Sequence, residues 1–287
     1  LRHVSPAFSE DPVRVLRIAR FAARFAYLGF TVADETMDLM RQMSASGETD
    51  ALVPERVWTE CSRALLERQP SIFFQVLRDC GALRSIFPEL NALFGVPQRP
   101  ESHPEVDSGI HTLMVLEQSA RLSDELTVRF SALVHDLGKA TTQKSCLPSH
   151  KGHEKRSAEL VRAFCKRLRI PKDLRNLAVL VALYHGQSHS AQELEPPAIL
   201  TLLKNLDAFR RPDRFAQFLL ACEADSKGRE GFEQSLYPQA TYLRACFEQA
   251  RAITSERITD KVLNGKELGE AIDTKRVQAI TTFFHKS

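Results

Sequence analysis

Apolar residues recur along most of this chain at the three- to four-residue spacing of amphipathic helices, and the alternation typical of strands is hard to find. The first such segment begins at Asp11-Pro12, because Asp caps helix N-termini and Pro is tolerated in the first turn. It continues to Phe25 and ends near Gly29, which suits a C-terminal cap. The same pattern predicts helices over residues 34–44, 54–68, 70–79, 109–122, 126–136, 153–168, 171–184, 197–206 and 212–225, with two or three more beyond 237. We therefore predict an all-α protein.

The segment between residues 87 and 104 interrupts this helical pattern. It contains prolines at positions 88, 97, 100 and 104. Proline removes a backbone donor and restricts the residue before it, so such a cluster is typical of a linker. We predict a domain boundary near residue 100.

The composition is that of a globular protein, and it limits the kinds of partner that the chain could bind. Hydrophobic residues make up 43% and charged residues 26%, which gives no support to a disordered or collagen-like chain. The longest apolar run, residues 177–184, is too short to span a membrane, and we predict no membrane partner. The six cysteines form no C-x-x-C pair, which favours reduced thiols and a cytoplasmic location. Because the net charge is only +3, a nucleic-acid partner would need a local basic patch.

One face of the first predicted helix carries a row of arginines. At about 100° per residue, the row falls in a sector roughly 120° wide, with small apolar residues opposite. The row consists of Arg14, Arg17, Arg20 and Arg24. Guanidinium groups bind phosphate oxygens in pairs, and a fixed Asp–Arg pair can present donors and acceptors to a base edge. Spacing alone favours the plainer alternative, the solvated face of an amphipathic helix.

This helix also resembles a motif of a known family. Residues 10–25 read E-D-P-V-R-V-L-R-I-A-R-F-A-A-R-F. The stretch resembles the E-D-P-x-R-x-x-R-x-x-R-F motif of class II tRNA nucleotidyltransferases, which comprise the CCA-adding enzymes and their bacterial poly(A) polymerase relatives. The resemblance implies that Asp11 and Arg14 hydrogen-bond the base edge of incoming CTP or ATP. It further implies that Arg17 and Arg20 contact the nucleotide, that tRNA is the partner, and that Mg²⁺ supports nucleotidyl transfer in the intact parent.

The likeness continues through segments 53–58, 77–83 and 103–107 and is greatest for proteobacterial enzymes with an added hydrolase domain. The chain nevertheless departs from the family in lacking both the Gly-Gly turn and the D-x-D pair of its N-terminal catalytic head. Two-metal catalysis requires such carboxylates. We therefore expect CCA addition in the intact parent but not in these 287 residues. Because the chain begins at Leu1 rather than Met, we also expect a segment of a longer protein whose beginning is missing.

Histidines and aspartates form a second group of candidates. His135-Asp136 follows the apolar run 130–134 and precedes Leu137-Gly138-Lys139. Further candidates stand at predicted helix ends or on apolar faces: His111, His153, His185 and Asp225. Such imidazoles and carboxylates could converge on a divalent metal. Each taken singly is better explained as an ordinary polar residue or a satisfied core histidine.

As a set, these residues resemble the H…HD…D order of HD-domain metal phosphohydrolases. The resemblance implies four metal ligands, which are His111, His135, Asp136 and Asp225. It implies catalytic roles for His135, Asp136 and Lys139, with Asp136 orienting a water on the metal and Lys139 meeting a phosphate oxygen. His153 and His185 are similar to histidines that enlarge the site in some members. The ligand types do not select strongly among Mg²⁺, Mn²⁺ and Ni²⁺.

The resemblance implies hydrolysis of 2′,3′-cyclic phosphates, 2′-nucleotides and phosphate monoesters, chemistry that would clean a damaged tRNA 3′ end before CCA is rebuilt. It implies an elongated neck and body followed by an HD-domain helical bundle and a helical tail. The predicted domains are a neck with the nucleotide-binding motif (1–45), a body related to tRNA binding (46–102), the HD domain (103–230) and the tail (231–287). We expect a monomer or a weak homodimer. The open alternatives are a stand-alone HD-domain nucleotide phosphohydrolase and a non-catalytic helical RNA-binding module.

Overall fold

The computed structural model describes residues 1–255 and 265–284. Over these residues the chain forms α-helices and short 3-10 turns, and its one β-type pairing is an isolated bridge between Pro97 and Asp107. The α-helices are α1 (Val13–Phe25), α2 (Asp34–Ala45), α3 (Pro54–Leu65), α4 (Ser71–Asp79), α5 (Ala82–Ile86), α6 (Pro88–Asn91), α7 (Ser108–Leu122), α8 (Leu126–Val134), α9 (His153–Arg167), α10 (Lys172–His189), α11 (Pro196–Asn205), α12 (Pro212–Lys227), α13 (Pro238–Arg251) and α14 (Gly265–Phe284). The all-α prediction is confirmed. None of the helices described is long and apolar enough to cross a membrane.

Several helix ends differ from the predictions by a few residues. Helix α1 begins at Val13, and the Asp11 carboxylate accepts a hydrogen bond from the Val13 amide at 3.1 Å. Its C-terminal end continues as a 3-10 turn to Gly29, which has the left-handed φ of 82°. The proline-rich segment is not wholly irregular, because Pro88 occupies the first position of the short helix α6. Helix α10 runs on to His189, beyond the predicted end at residue 184.

The chain divides into two compact units. The first comprises Leu1–Leu183 with Leu220–Ser235, and the second Tyr184–Leu219 with Leu236–Ser287. The predicted domains 1–45, 46–102, 103–230 and 231–287 stay predictions. The predicted tail includes residues 256–264 and 285–287, which lie outside the described residues.

The core of the first unit is built on the small-residue face of α1. Leu16, Ala19 and Ala23 are fully buried where α1 packs against α3 and α4. Next to this contact, Phe74 and Phe87 lie edge to face with ring centroids 5.8 Å apart. Helix α7 packs against α8, and α9 packs against the 3-10 turn Leu137–Thr141. These last contacts bring the histidine- and aspartate-bearing segments together.

Arg129 links α8 to the end of α3 and to the loop that precedes α8. It is 3% exposed and lies on α8. Its guanidinium donates to the carbonyl oxygens of Leu65 at 2.9 Å and Glu67 at 3.0 Å, at the end of α3. It also donates to the Ser123 carbonyl at 2.7 Å. A planar group with several fixed donors can satisfy these converging carbonyls at once.

The second unit has its own packing. Helices α11, α13 and α14 contact one another, and Lys204 of α11 forms an ion pair with Asp273 of α14. The Tyr237 hydroxyl lies 3.0 Å from Ser188 Oγ and 3.1 Å from His189 Nδ1. The buried hydroxyls of Tyr237 and Ser188 thus have hydrogen-bond partners, as buried polar groups generally do.

Candidate functional site

His111 is placed by the capped first turn of α7. The carboxylate of Asp107 accepts from the amides of Gly109 at 2.7 Å and Ile110 at 3.0 Å, which is the arrangement of an N-cap. Asp107 also accepts from the Gly95 amide at 2.6 Å, so the cap is tied to the preceding loop. The His111 side chain, in that same first turn, is 1% exposed. A polar cap thus brings a histidine into the interior.

His135 and Asp136 stand where α8 ends, and both are almost completely buried. Two residues later, Gly138 lets α9 approach closely, because a Cβ there would lie 2.5 Å from the Ser157 amide nitrogen and would overlap the His153 carbonyl. The Gly138 amide donates to Ser157 Oγ at 2.8 Å. Only glycine fits this approach, which sets His153 at the start of α9 beside Asp136.

Asp225 enters the same region from α12. A second close approach secures it, since a Cβ on Gly228 would lie 2.6 Å from Val115 Cα and 2.7 Å from Val115 N on α7. The Gly228 carbonyl oxygen lies 3.1 Å from Nδ1 of His111. The end of α12 is thereby fixed against the first turns of α7.

These elements bring three imidazoles and two carboxylates together in the first unit. Nε2 of His111 lies 3.0 Å from Asp225 Oδ1, and Nε2 of His135 lies 3.4 Å from the same oxygen. His135 Nε2 is also 3.2 Å from Asp136 Oδ2, and His153 Nε2 is 3.1 Å from Asp136 Oδ1. Single ligand atoms of His111, His135 and Asp136 all lie within 4.8 Å of one another.

The imidazoles share one orientation. Nδ1 of His135 lies 2.8 Å from the Ala132 carbonyl oxygen, and Nδ1 of His153 lies 2.9 Å from the His150 carbonyl oxygen. Nδ1 of His111 faces the Gly228 carbonyl and, at 3.0 Å, the carboxylate of Glu105. Because every one of these partners is an acceptor, each Nδ1 carries a proton and donates it. Nε2 of all three rings therefore points at the aspartates, as in metal sites whose histidines are held by outer partners.

The electrostatics of the cluster favour positive charge at its centre. Burial alone would lower the pKa of His135, but the carboxylates of Asp136 and Asp225 raise it to about 10. Burial alone would raise the pKa of Asp136, but the charges of His135 and Lys139 lower it well below its ordinary range. Two carboxylates lie within hydrogen-bonding distance of imidazole nitrogens in this buried site, and their negative charge would stabilise a bound cation.

This donor set fits a divalent metal ion. Imidazole nitrogens and carboxylate oxygens are ligands of Zn²⁺, Mn²⁺, Ni²⁺ and related ions, and burial excludes competing water. Lys139 stands beside the set, with Nζ 2.6 Å from Asp136 Oδ2, and is 6% exposed. Its ammonium also donates to Oε1 of Gln98. His185 is buried near the end of α10 in the second unit, and its role stays a prediction from the sequence.

The predicted arginine row of α1 divides into two parts. Arg14 and Arg17 line a cavity of about 440 Å³, together with His3, Phe8 and Phe21 among others. Arg14 donates to the Ala7 carbonyl oxygen, and Arg17 is exposed. This part of the row is open to a ligand.

Arg20 and Arg24 face acidic residues instead. Arg20 is 7% exposed, and its Nε donates to Glu60 Oε2 at 2.7 Å. Arg24 Nε lies 3.9 Å from Glu67 Oε2. In the structure Arg20 therefore forms a buried ion pair that holds α1 against α3. The nucleotide contact expected at Arg20 stays a prediction.

Asp11 pairs with Arg56 of α3, with Arg56 Nη2 2.6 Å from Asp11 Oδ2. The hydrogen bond from Arg56 lowers the pKa of Asp11, with a smaller contribution from the Val13 amide. In the structure Asp11 therefore pairs with Arg56 and not with Arg14, whose guanidinium donates to the Ala7 carbonyl oxygen.

Comparison with known proteins finds two family matches along this chain. Residues 109–211 match the HD domain family, a range that includes His111, His135, Asp136 and His153. Residues 29–94 match the family described as "Probable RNA and SrmB- binding site of polymerase A". The chain is 63% identical over 280 residues to the multifunctional CCA protein of Thioalkalivibrio sulfidiphilus, covering 98% of this chain and 68% of that protein. The chain belongs to the multifunctional CCA protein family.

A second multifunctional CCA protein, from Pseudomonas syringae pv. syringae, is 55% identical over 283 residues, covering 99% of this chain and 69% of that protein. A solved complex of a CCA-adding enzyme with CTP shares the fold with a TM-score of 0.56 at 15% identity. That match covers 97% of this chain but 58% of the solved one, less than two thirds. The predicted enzyme family and HD domain are thus confirmed, and the HD domain implies dependence on a divalent metal.

Three residues that contact the predicted site residues were not themselves predicted from the sequence. Glu105 contacts His111, Gln98 contacts Lys139, and Arg56 contacts Asp11. The only available signals were indirect, since Glu105 lies in the segment 103–107 that carried the family resemblance. Arg56 likewise lies in the segment 53–58.

Proposed function

We propose that this chain is a metal-dependent phosphohydrolase that acts on 2′,3′-cyclic phosphates, 2′-nucleotides and phosphate monoesters. The observation that carries the proposal is the convergence of three Nε2 atoms on two buried carboxylates, with distances of 3.0 to 3.4 Å. Three histidines with protonated Nδ1 atoms and inward Nε2 atoms are arranged to hold a cation rather than to stabilise a core.

The ion would be held by the buried H…HD…D set, namely His111, His135, Asp136 and Asp225. His153 is close enough to Asp136 to enlarge the site. We propose Ni²⁺, Mn²⁺ or Mg²⁺ as the metal. When bound, such an ion supplies Lewis-acid catalysis, because it lowers the pKa of water toward about 7 and polarises phosphoryl oxygens.

The side chains themselves position and neutralise charge. His135 and Asp136 are adjacent in sequence, and Nε2 of His135 lies 3.2 Å from Oδ2 of Asp136. Both ligand atoms would therefore face the same metal ion. Lys139 holds Asp136 in place and brings a buried ammonium toward the position of a substrate phosphate. A buried cation interacts more strongly with a phosphate than a solvated one, because the effective dielectric constant is lower.

Hydrolysis by the purified chain tests this proposal. Bis-p-nitrophenyl phosphate and 2′,3′-cAMP should be hydrolysed with added Ni²⁺, Mn²⁺ or Mg²⁺, and activity should be lost in His135→Ala and Asp136→Ala. Asp225→Asn should lose activity, while Asp213→Asn, an exposed carboxylate on the same helix α12, should keep it. A folded chain that is inert with every metal would contradict the proposal.

We further propose that the longer CCA proteins containing such a chain add and repair the tRNA 3′-terminal CCA from CTP and ATP in the cytoplasm. In that setting Asp11, Arg14 and Arg17 would contact the nucleotide, while Arg20 would hold α1 against α3 through Glu60. The cavity of about 440 Å³ lined by Arg14 and Arg17 favours this assignment. Because these 287 residues contain neither a Gly-Gly turn nor a D-x-D pair, we propose that they do not transfer nucleotides alone.

CTP binding tests the nucleotide site separately from hydrolysis. Arg17→Ala should weaken CTP binding, and Arg24→Ala on the same helix should not, because Arg24 does not line the cavity. If neither variant changed the affinity, a stand-alone HD hydrolase would be the better account. If the chain bound tRNA but no divalent metal, it would be better explained as a non-catalytic RNA-binding module.

A further inference from the structure

A cavity of about 300 Å³ opens beside the proposed metal ligands in the first unit. Its wall includes Lys139 and His153, so it adjoins Asp136. Its other lining residues come from the loop before α7, from the segment before α9 and, in the case of Glu154, from the first turn of α9, and all but Pro148 are polar. A cavity of this size is at the small end of ligand sites, and it has room for a phosphate group.

Gln98 is the least exposed neutral side chain in this wall, with 2% of its surface accessible. Its Oε1 accepts a hydrogen bond from the Lys139 ammonium. An ammonium has no acceptor, so this contact fixes which end of the amide is oxygen and which is nitrogen. Among the residues that the structure describes, Nε2 of Gln98 has no hydrogen-bond partner. A buried donor of this kind is costly unless a ligand accepts from it.

The backbone around Gln98 is firmly held. Its amide donates to the Val106 carbonyl at 2.6 Å, and the neighbouring Pro97 pairs with Asp107. The Pro97 carbonyl accepts from Nε2 of His150 at 3.0 Å, and Nδ1 of that ring accepts from Thr142 Oγ1 at 2.8 Å. The amide group is thus presented to the cavity without further ordering, which favours binding.

The surrounding charges select an anionic ligand. Arg99 and Lys151 line the cavity, are exposed and form no ion pair with any residue in the described ranges. Glu154 is the one carboxylate in the lining and lies near His153, with Oε2 3.7 Å from Nδ1. Two unpaired cations, a buried ammonium and an amide donor suit a group that only accepts hydrogen bonds, such as a phosphoryl oxygen.

From this arrangement we infer that Gln98 binds the phosphate of the hydrolase substrate by donating from Nε2 to a non-bridging oxygen. Lys139 orients the amide and adds charge, and Arg99 and Lys151 attract the anion at the rim. The inference rests on the proposed hydrolase function, which it extends by naming a phosphate-binding residue outside the H…HD…D set.

Two substitutions separate the donor from the rest of the site. Gln98→Glu keeps an acceptor for Lys139 but replaces the donor with a charged oxygen, and Gln98→Met removes both polar ends. Gln143→Glu makes the same charge change at an exposed position that does not line the cavity. Calorimetric titration with inorganic phosphate and with Ni²⁺, together with the KM for 2′,3′-cAMP, is measured for each.

Both Gln98 variants should bind phosphate at least about tenfold more weakly and raise KM more than they lower kcat, since a charge-assisted donor of this kind is lost. The Ni²⁺ affinity of Gln98→Met should stay within about twofold, because no metal ligand is touched and no charge is added, and Gln143→Glu should match the wild type. Unchanged phosphate affinity and KM in a wild-type-like Gln98→Glu protein would overturn the inference and leave the hydrolase proposal standing.

The same titration decides the inference if the wild-type chain is folded but hydrolyses nothing, which would remove the hydrolase proposal. Phosphate binding that is lost in Gln98→Glu would still support the role of Gln98, and its absence in the wild type would overturn it. If the variants do not fold, the wild type suffices: its Gln98 side-chain amide resonances, assigned by triple-resonance NMR, should shift on adding phosphate. Resonances that do not move at saturating phosphate would overturn the inference.

Discussion

Glu105 Oε1 lies 3.0 Å from Nδ1 of His111, and both side chains are almost fully buried. Burial alone would raise the pKa of Glu105, but hydrogen bonds from His103 and His111 lower it well below its ordinary range, so the group is a carboxylate. A carboxylate that accepts from Nδ1 leaves Nε2 to face Asp225 and raises the basicity of the ring. Glu105 is therefore the residue that orients the first histidine of the proposed ligand set.

Replacing Glu105 tests this orienting role. Glu105→Ala should weaken Ni²⁺ binding by about 10- to 100-fold, the usual effect of removing the partner of a ligating histidine. Calorimetric titration of the metal-free protein with Ni²⁺ measures it. Glu101→Ala, an exposed carboxylate in the same loop, is the control and should bind Ni²⁺ like the wild type. Equal affinities for Glu105→Ala and the wild type would remove Glu105 from the account.

The close approach of α12 to α7 gives a stability prediction. Gly228→Ala should destabilise the protein by about 1–3 kcal/mol, because the added Cβ would push against the Val115 backbone. Gly269→Ala, on the exposed face of α14 with nothing near its Cβ position, should stabilise it by about 0.5–1 kcal/mol. Thermal unfolding distinguishes the two. A Gly228→Ala protein as stable as the wild type would mean that the helices can separate freely there.

Arg129 supplies a second stability prediction. Arg129→Met keeps much of the side-chain volume but leaves the carbonyls of Leu65, Glu67 and Ser123 without this donor. We expect a loss of about 3 kcal/mol in the free energy of unfolding, measured with urea. Arg121→Met, at the exposed end of α7, is the matched control and should change stability little. Similar losses in both variants would show that the guanidinium contacts contribute nothing specific.

The Asp11–Arg56 pair predicts a dependence on pH. Arg56 lowers the pKa of Asp11, so the pair contributes stability above the ordinary carboxyl pKa of about 4 and loses it as pH falls through the lowered value. In Arg56→Gln the pKa of Asp11 should rise toward that ordinary value. NMR titration of the Asp11 side-chain carboxyl carbon measures both proteins. The same midpoint in each would show that the pair does not form in solution.

Helix periodicity predicted most of the fold because nearly every helix has an apolar stripe that repeats within the helix itself. The stripe on α1 is an example, with Leu16, Ala19 and Ala23 buried as their spacing requires. Periodicity identifies a helix face but not what packs against it. The arginine row therefore appeared continuous in the sequence, although Glu60 and Glu67 bind its second half.

The proposed ligand set was predictable in part because His135-Asp136 follows one apolar helical run and His111 begins another. The residues that orient or extend the site were not, because their partners are remote in the chain. Arg56 and Asp11 are 45 positions apart, and Gln98 and Lys139 are 41 apart. Gln98 also lies in the proline-rich segment predicted to be a linker, where a side chain has no periodic pattern to mark it.

Anomalous diffraction from crystals grown with Mn²⁺ or Ni²⁺ tests the central claim most directly. We expect one strong peak bonded to Nε2 of His111 and His135 and to carboxylate oxygens of Asp136 and Asp225, at distances of about 2.0–2.2 Å. The peak should disappear in crystals of His135→Ala grown the same way. A wild-type crystal with metal peaks only elsewhere, and none among these four side chains, would contradict the account.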